Sequence, residues 1–226
     1  MESYLLKTNS FRRVEDSERY GELILKLGDY GIKFYQIPER KADILRQSLL
    51  DSEKNILEQG ESTYNYPEDQ ITGKMTYYNL LVDVEEWYKI GYPYVKEFVA
   101  DYLDLKYGEV MKIKSWGNIL RLDNKIYPHR HFGTPDNYKD FPQSVSGNIF
   151  LGAETETATT YILGTEKVDV PNNYGQVTLF PPDISHAVRS YKGKGTRISA
   201  AFDCFCVTRD PNASVSGTIW SSWTHE

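Results

Sequence analysis

The chain has 226 residues, with 26 Lys+Arg against 32 Asp+Glu and a formal net charge of −6. That length suits one domain, and the acidic balance argues against a nucleic-acid groove, whose affinity comes from phosphate neutralisation by basic side chains. No stretch is long and apolar enough to span a bilayer, so neither nucleic acid nor membrane is expected as a partner.

The opening residues, MESYLLKTNSFRR, lack the charge order and apolar run of a secretory signal, and a cytoplasmic location is expected. The first hundred residues read mainly as helix and loop. Over 39–59, Ala42, Leu45, Leu49, Ile56 and Leu57 recur at near-helical spacing, and Gly60 is a natural stop. The segment 60–76 is polar and carries tyrosines, which marks it as a loop over a site. Over 83–105, Val95, Phe98, Val99, Tyr102 and Leu103 form one stripe, and Pro93 must kink this helix or split it.

From about residue 109 the period changes to two. Met111 and Ile113 alternate with Lys112 and Lys114. Strand-like runs follow around 147–152, 158–163, 176–180, 186–191 and 196–207, separated by turn signals such as Pro171-Asn172-Asn173, Pro181-Pro182 and Lys192-Gly193-Lys194-Gly195. Many short strands with turns between them predict a sandwich or barrel. The organisation expected is a single domain over 1–226: helical support over 1–108, a β core over 109–207 and a tail over 208–226. Cys204 and Cys206 sit too close on one strand to bridge easily, so both are expected as thiols. Trp220 and Trp223 in the tail are expected to dock on the body or on a twin subunit, which leaves a homodimer open.

The chemistry-bearing residues are concentrated. The chain has four histidines, and three of them fall in two motifs. Tyr127-Pro128-His129-Arg130-His131 follows a strand-like run from Trp116 to Leu122. On an extended chain His129 and His131 point the same way, so their imidazoles can converge on one metal ion. Downstream, Gly175 to His186 reads as turn, buried strand, turn, and a histidine opening the next strand. A barrel can bring His186 beside the first pair, which is the pattern of a facial triad with open positions. Arg197 and Ser199 then share one face of a strand whose other face carries Ile198, Ala200, Phe202, Cys204 and Cys206. A guanidinium pointing into an apolar barrel needs a partner, and its fork matches a carboxylate, with the serine hydroxyl adding a further bond.

Together these residues resemble the Fe(II)- and 2-oxoglutarate-dependent oxygenases, whose signature is H-x-[D/E], a distant His, then an Arg, often as R-x-S. The matching positions are His129-Arg130-His131, His186 and Arg197-Ile198-Ser199. The run Asn118 to Leu122 through His129, and Gln176 to His186, look like the corresponding strands of the prolyl and aspartyl hydroxylase branches. Ser146 to Leu151 is similar to a strand in further members, some of them phage-borne. The resemblance covers roughly 110–207. It implies a mainly β fold with flanking helices, a double-stranded β-helix (jelly-roll) core and N-terminal helical support. It also implies Fe(II), 2-oxoglutarate as co-substrate and O2, with metal on His129, His131 and His186 and the co-substrate on Arg197 and Ser199. No catalytic residue beyond the metal ligands is expected. The implied reaction hydroxylates a C–H bond of an amino acid, a peptidyl side chain or another small metabolite, releasing succinate and CO2.

One position departs from the signature: His131 stands where the carboxylate belongs. Three histidine ligands, a carboxylate from Asp136 or Glu154, and a two-ligand site are all open at this point. Cupins compete for the same residues, through His129-x-His131 followed by Asp136, then Gly175, Pro181 and His186. They give Arg197 and Ser199 no role. A cupin-type metalloenzyme without 2-oxoglutarate and a non-catalytic jelly-roll binding protein are the two alternatives.

Overall fold

The alternating pattern from residue 110 onward builds two antiparallel sheets. In the computed structural model, which describes residues 23, 26–63, 66–131, 143–209 and 220–226, the strands are β1 (Lys33–Gln36), β2 (Val110–Leu120), β3 (Ile126–His129), β4 (Ser144–Phe150), β5 (Ala158–Leu163), β6 (Glu166–Pro171), β7 (Gln176–Phe180), β8 (Ser185–Val188), β9 (Arg197–Cys206) and β10 (Ser221–Thr224). The larger sheet runs β1-β7-β4-β9-β2-β10 and the smaller β3-β8-β5-β6. This is a double-stranded β-helix with N-terminal helices against it, as the motifs led one to expect.

Each central strand of the larger sheet has two different faces. On β9, Ile198, Ala200, Phe202, Cys204 and Cys206 belong to the main apolar core. Arg197, Ser199, Ala201 and Asp203 point the other way and line a cavity. A similar division holds on β2, where Met111, Ile113 and Ile119 join the core, Lys114 and Asn118 line the cavity, and Trp116 touches both. Both cysteines are buried free thiols. Period-two alternation therefore separates core from cavity rather than core from water.

The core is completed by helices. Helix α1 (Glu39–Leu57) buries Ala42, Leu45, Leu49 and Ile56, with Glu39 in its first turn and Lys54 in its last, both favourable to the helix dipole. The second helical stripe is not split at Pro93: helix runs without a break from residue 85 to residue 103. A short helix α2 (Leu80–Asp83) ends at extended Val84, and a π-helical turn (Trp87–Gly91) passes directly into α3 (Tyr92–Leu103), so that Pro93 follows the widened turn in which the Tyr92 N–H bonds to the Trp87 carbonyl. The Trp87 indole donates to the Leu45 carbonyl at 3.1 Å and ties this turn to α1.

Three strands escaped the sequence pattern. β1 joins β7 and β10 joins β2 through partners far away in sequence, and β6 buries only Val168 and Val170. The β10 pairing seats Trp223 edge-on against Tyr92, and Trp220 packs on Phe205, so the tail docks on the body. Segment 60–76 contributes Tyr66, Thr72 and Met75 to the cavity wall. It is held by the buried Lys74, which donates to Glu68 at 2.5 Å and to the Gly60 carbonyl at 2.9 Å, and by Thr72, which donates to Asn118 on β2 at 2.8 Å. Among the described residues no helix is long and apolar enough to cross a membrane.

Candidate metal centre

The cavity between the sheets has a volume of about 560 Å³ and is lined by all five residues singled out from the sequence: His129, His131, His186, Arg197 and Ser199. Strand pairing explains how the histidines meet. β3 and β8 place His129 directly opposite His186, after a register shift between Ile126 and His129. Such a bulge re-aims side chains at the end of a ladder. His131 follows two residues later, anchored by its own N–H to the Pro182 carbonyl at 2.9 Å, in the turn just before His186.

One ring nitrogen from each histidine lies within 4.8 Å of the other two, and His131 Nε2 is 3.3 Å from His186 Nε2. Every Nδ1 is engaged on the far side of its ring. His129 Nδ1 donates to the Tyr127 carbonyl at 2.8 Å, and His186 Nδ1 donates to the Ile184 carbonyl at 3.1 Å. His131 Nδ1 donates to Asp203 Oδ1 at 2.5 Å, an oxygen that also accepts from Ser146 at 2.6 Å. These acceptors select the tautomer with the proton on Nδ1, so three Nε2 lone pairs converge on one point. Lone pairs facing each other at that distance repel, and a cation among them removes the repulsion. Metal–imidazole bonds of about 2.1 Å put neighbouring nitrogens about 3 Å apart, close to the 3.3 Å between the His131 and His186 nitrogens.

The rings are held by their neighbours. Trp116 stacks on His131 with centroids 5.6 Å apart, and Phe180 packs edge-on against His186 at 4.7 Å. Burial holds His129 down to about 4, with the neighbouring His131 acting in the same direction. Burial, with His131 and His129, also holds His186 well below the ordinary imidazole range. Neutral imidazoles are the form a metal requires.

Arg197 is 2 % exposed. Its Nη1 donates to Ser199 Oγ at 3.1 Å, its guanidinium lies 5.4 Å from the Phe150 ring centroid, and its Nε has no hydrogen-bond partner. Burial lowers it to about 10, with Tyr161 and Tyr191 pulling the other way, so it is a cation at neutral pH. A buried cation with an orphaned donor, facing a cavity, fits an anionic ligand.

Glu154, weighed above as a metal ligand, faces elsewhere. It accepts from the Gly195 N–H at 2.6 Å and borders a separate hollow with Arg46 and Tyr174. Asp136 and the tail sequence Asn212-Ala213-Ser214 lie outside the described residues. Sequence reasoning missed Asp203 and Lys114 as cavity residues. Asp203 was within reach, because the alternation that puts Arg197 and Ser199 on one face of β9 continues through Ala201 to Asp203.

No family model matches the sequence, and no curated protein sequence matches it. Solved structures do match. The nickel complex of the non-heme monooxygenase ThoJ superposes with a TM-score of 0.59 at 12% identity, covering 81% of this chain and 77% of that one. HygX from Streptomyces hygroscopicus, with nickel and 2-oxoglutarate bound, gives 0.58 at 13% identity over 81% and 86%. A prolyl hydroxylase from Trichoplax adhaerens, in complex with a hypoxia inducible factor peptide fragment, gives 0.57 at 12% identity over 92% and 99%. The chain therefore has the fold of the 2-oxoglutarate-dependent non-haem oxygenases, with a cluster of three histidines that could hold a metal.

Proposed function

We propose that the protein is an Fe(II)- and 2-oxoglutarate-dependent dioxygenase that hydroxylates a C–H bond of an amino acid, a peptidyl side chain or another small metabolite. The observation that carries this reading is one cavity holding both the convergence of three Nε2 lone pairs and the unpaired Nε of Arg197. The solved structures with nickel, iron or 2-oxoglutarate on the same fold support it.

His129, His131 and His186 would hold the iron through Nε2, each fixed by the acceptor behind its Nδ1. When bound, iron and 2-oxoglutarate supply the activation of O2, with the co-substrate leaving as succinate and CO2. Arg197 and Ser199 would bind the distal carboxylate, the guanidinium offering Nε–H and its remaining donors and the hydroxyl one more. Ile126, Phe180 and Val188 line the cavity, and their apolar side chains would limit water at the reacting centre. The cupin reading leaves a buried, unpaired guanidinium without a task, and Arg197 favours the oxygenase.

The test is to follow succinate after adding Fe(II), ascorbate and 2-oxoglutarate to the purified protein. Saturable binding of 2-oxoglutarate and succinate formation are expected. If 2-oxoglutarate neither binds nor turns over at saturation, the reading is wrong.

A further inference from the structure

The chemistry above employs one buried cation of the cavity, and the cavity has a second. Lys114 stands on β2 beside Asp203 on β9 in the antiparallel register, and it lines the same cavity as the histidines. The residue is only 6 % exposed. Among the described residues its ammonium makes no hydrogen bond and no ion pair. Its contacts are the Trp116 ring, 5.7 Å from Nζ to the centroid, and the field of Asp203. An ammonium carries three donors, and one ring face does not satisfy them. Asp203 spends its Oδ1 on His131 and Ser146, and among the described residues neither of its oxygens forms a hydrogen bond or an ion pair with the Lys114 ammonium. A lysine buried this deeply is ordinarily paired.

The surroundings narrow what the partner is. The charged residues of the cavity are Lys114, Arg130, Arg197 and Asp203, three cations to one anion in a chain whose net charge is −6. On the functional reading above, Arg197 and Ser199 take the distal carboxylate of 2-oxoglutarate and the three histidines would hold the metal. Lys114 is left over. It sits at the histidine end of the cavity, six positions along β9 from Arg197 by register. Exposed Arg130 borders the same cavity and draws anions toward it. One free ammonium balances one negative charge, which matches a carboxylate, whereas a phosphate dianion gathers several donors. The apolar surfaces of Trp116, Met75 and Ile126 suit the hydrocarbon part of such a molecule.

We propose that Lys114 anchors a carboxylate of the molecule being oxidised, so that the substrate is a small organic acid or free amino acid rather than a neutral stretch of peptide. This rests on the assignment of the histidines and Arg197 given above.

The experiment uses the full chain loaded with Co(II) and saturated with 2-oxoglutarate. The probes are acetate and its neutral isostere acetamide, and the readout is paramagnetic broadening of their methyl proton signals. Acetate is expected to broaden saturably and acetamide not. Lys114→Met, which keeps the length and apolar stem, should weaken acetate about tenfold, the loss of one charge-assisted hydrogen bond. Lys114→Gln should behave the same way, which guards against a folding defect peculiar to Met, and Lys114→Arg should retain most of the affinity. Equal broadening of acetate and acetamide by the unaltered protein would overturn the proposal. So would unchanged acetate affinity in both neutral variants, which would mean that the lysine only offsets Asp203. If the neutral variants lose 2-oxoglutarate instead of acetate, the lysine belongs to the co-substrate and the proposal fails. Calorimetry of 2-oxoglutarate on the Co(II) protein tests the functional reading separately. Should that binding be absent, the comparison of acetate between Lys114 variants still reads the lysine, because Arg197 is common to all of them.

Discussion

His131 Nδ1 lies 2.5 Å from Asp203 Oδ1, and the Ser146 hydroxyl donates to the same oxygen at 2.6 Å. The carboxylate absent from the third position of the H-x-[D/E] pattern is therefore present one imidazole farther out. It fixes the tautomer of His131 and raises the basicity of Nε2, as outer carboxylates do for metal-binding histidines. A dication held by three neutral imidazoles would be uncompensated by its ligands, and Asp203 would return part of the negative charge through the ring.

Asp203→Asn keeps the shape and removes the charge. Its expected effect is a 10- to 100-fold loss of metal affinity, roughly what outer-shell partners of metal-bound histidines contribute. Ser146→Ala removes one hydrogen bond to the carboxylate and should cost less, about 1 kcal/mol. Calorimetric titration of the metal-free protein with Co(II) measures both. Undiminished affinity in Asp203→Asn would remove Asp203 from the metal site.

His131→Asp writes the common signature into the chain, yet it should not repair the site. The new carboxylate faces the buried Asp203 instead of bonding to it, and two like charges in one pocket repel. Weaker Co(II) binding and a loss of stability of about 2–4 kcal/mol are expected. Adding Asp203→Asn should recover part of both. Thermal melting and metal titration of the single and double variants form a mutant cycle. Additive effects would show that the two positions do not communicate.

The histidines and Arg197 were legible because their signal is local. His129 and His131 sit two apart on extended chain, and Arg197 and Ser199 alternate against five apolar or thiol neighbours on β9. What the sequence concealed was where the second face of each strand looks. Lys114 alternates with Met111 and Ile113 just as a solvent-facing lysine would, but that face of β2 borders the cavity between the sheets. Asp203 shares the alternation of Arg197, yet an acid among Phe202, Cys204 and Phe205 carries no mark of the histidine it meets across the sheets. β1 and β10 were missed for the same physical reason. Their pairing is with β7 and β2, far away along the chain, and four-residue strands leave little local pattern.

Arg197→Met separates function from stability. The guanidinium is buried, with an unpaired Nε, so the ligand-free fold bears its desolvation without a full return. Replacing it with an apolar side chain of similar length should leave the thermal midpoint unchanged or raise it, while 2-oxoglutarate affinity falls by about 100-fold. Co(II) affinity should stay within about twofold, since Arg197 touches none of the histidines. Loss of metal and co-substrate together, with a lower midpoint, would instead indicate general damage to the cavity.

The metal-free protein should lose stability in mild acid, and the sign follows from the histidines. His129 is lowered to about 4, chiefly by burial and next by the neighbouring His131, and His186 is held well below the ordinary imidazole range by burial and then by His131 and His129. In the unfolded chain both titrate near 6.5. Above that value both states are neutral and stability is full. As the pH falls below it, the unfolded chain takes up protons that the folded cavity refuses, so stability drops until the folded groups themselves titrate. His129 alone contributes a loss on the order of 3 kcal/mol over that window. Urea midpoints of metal-free protein should therefore fall steadily from about pH 7 to about pH 5. His129→Gln should flatten that fall, and further substitution of His186→Gln should flatten it again. A midpoint equally pH-dependent in the double variant would place the titration elsewhere in the molecule.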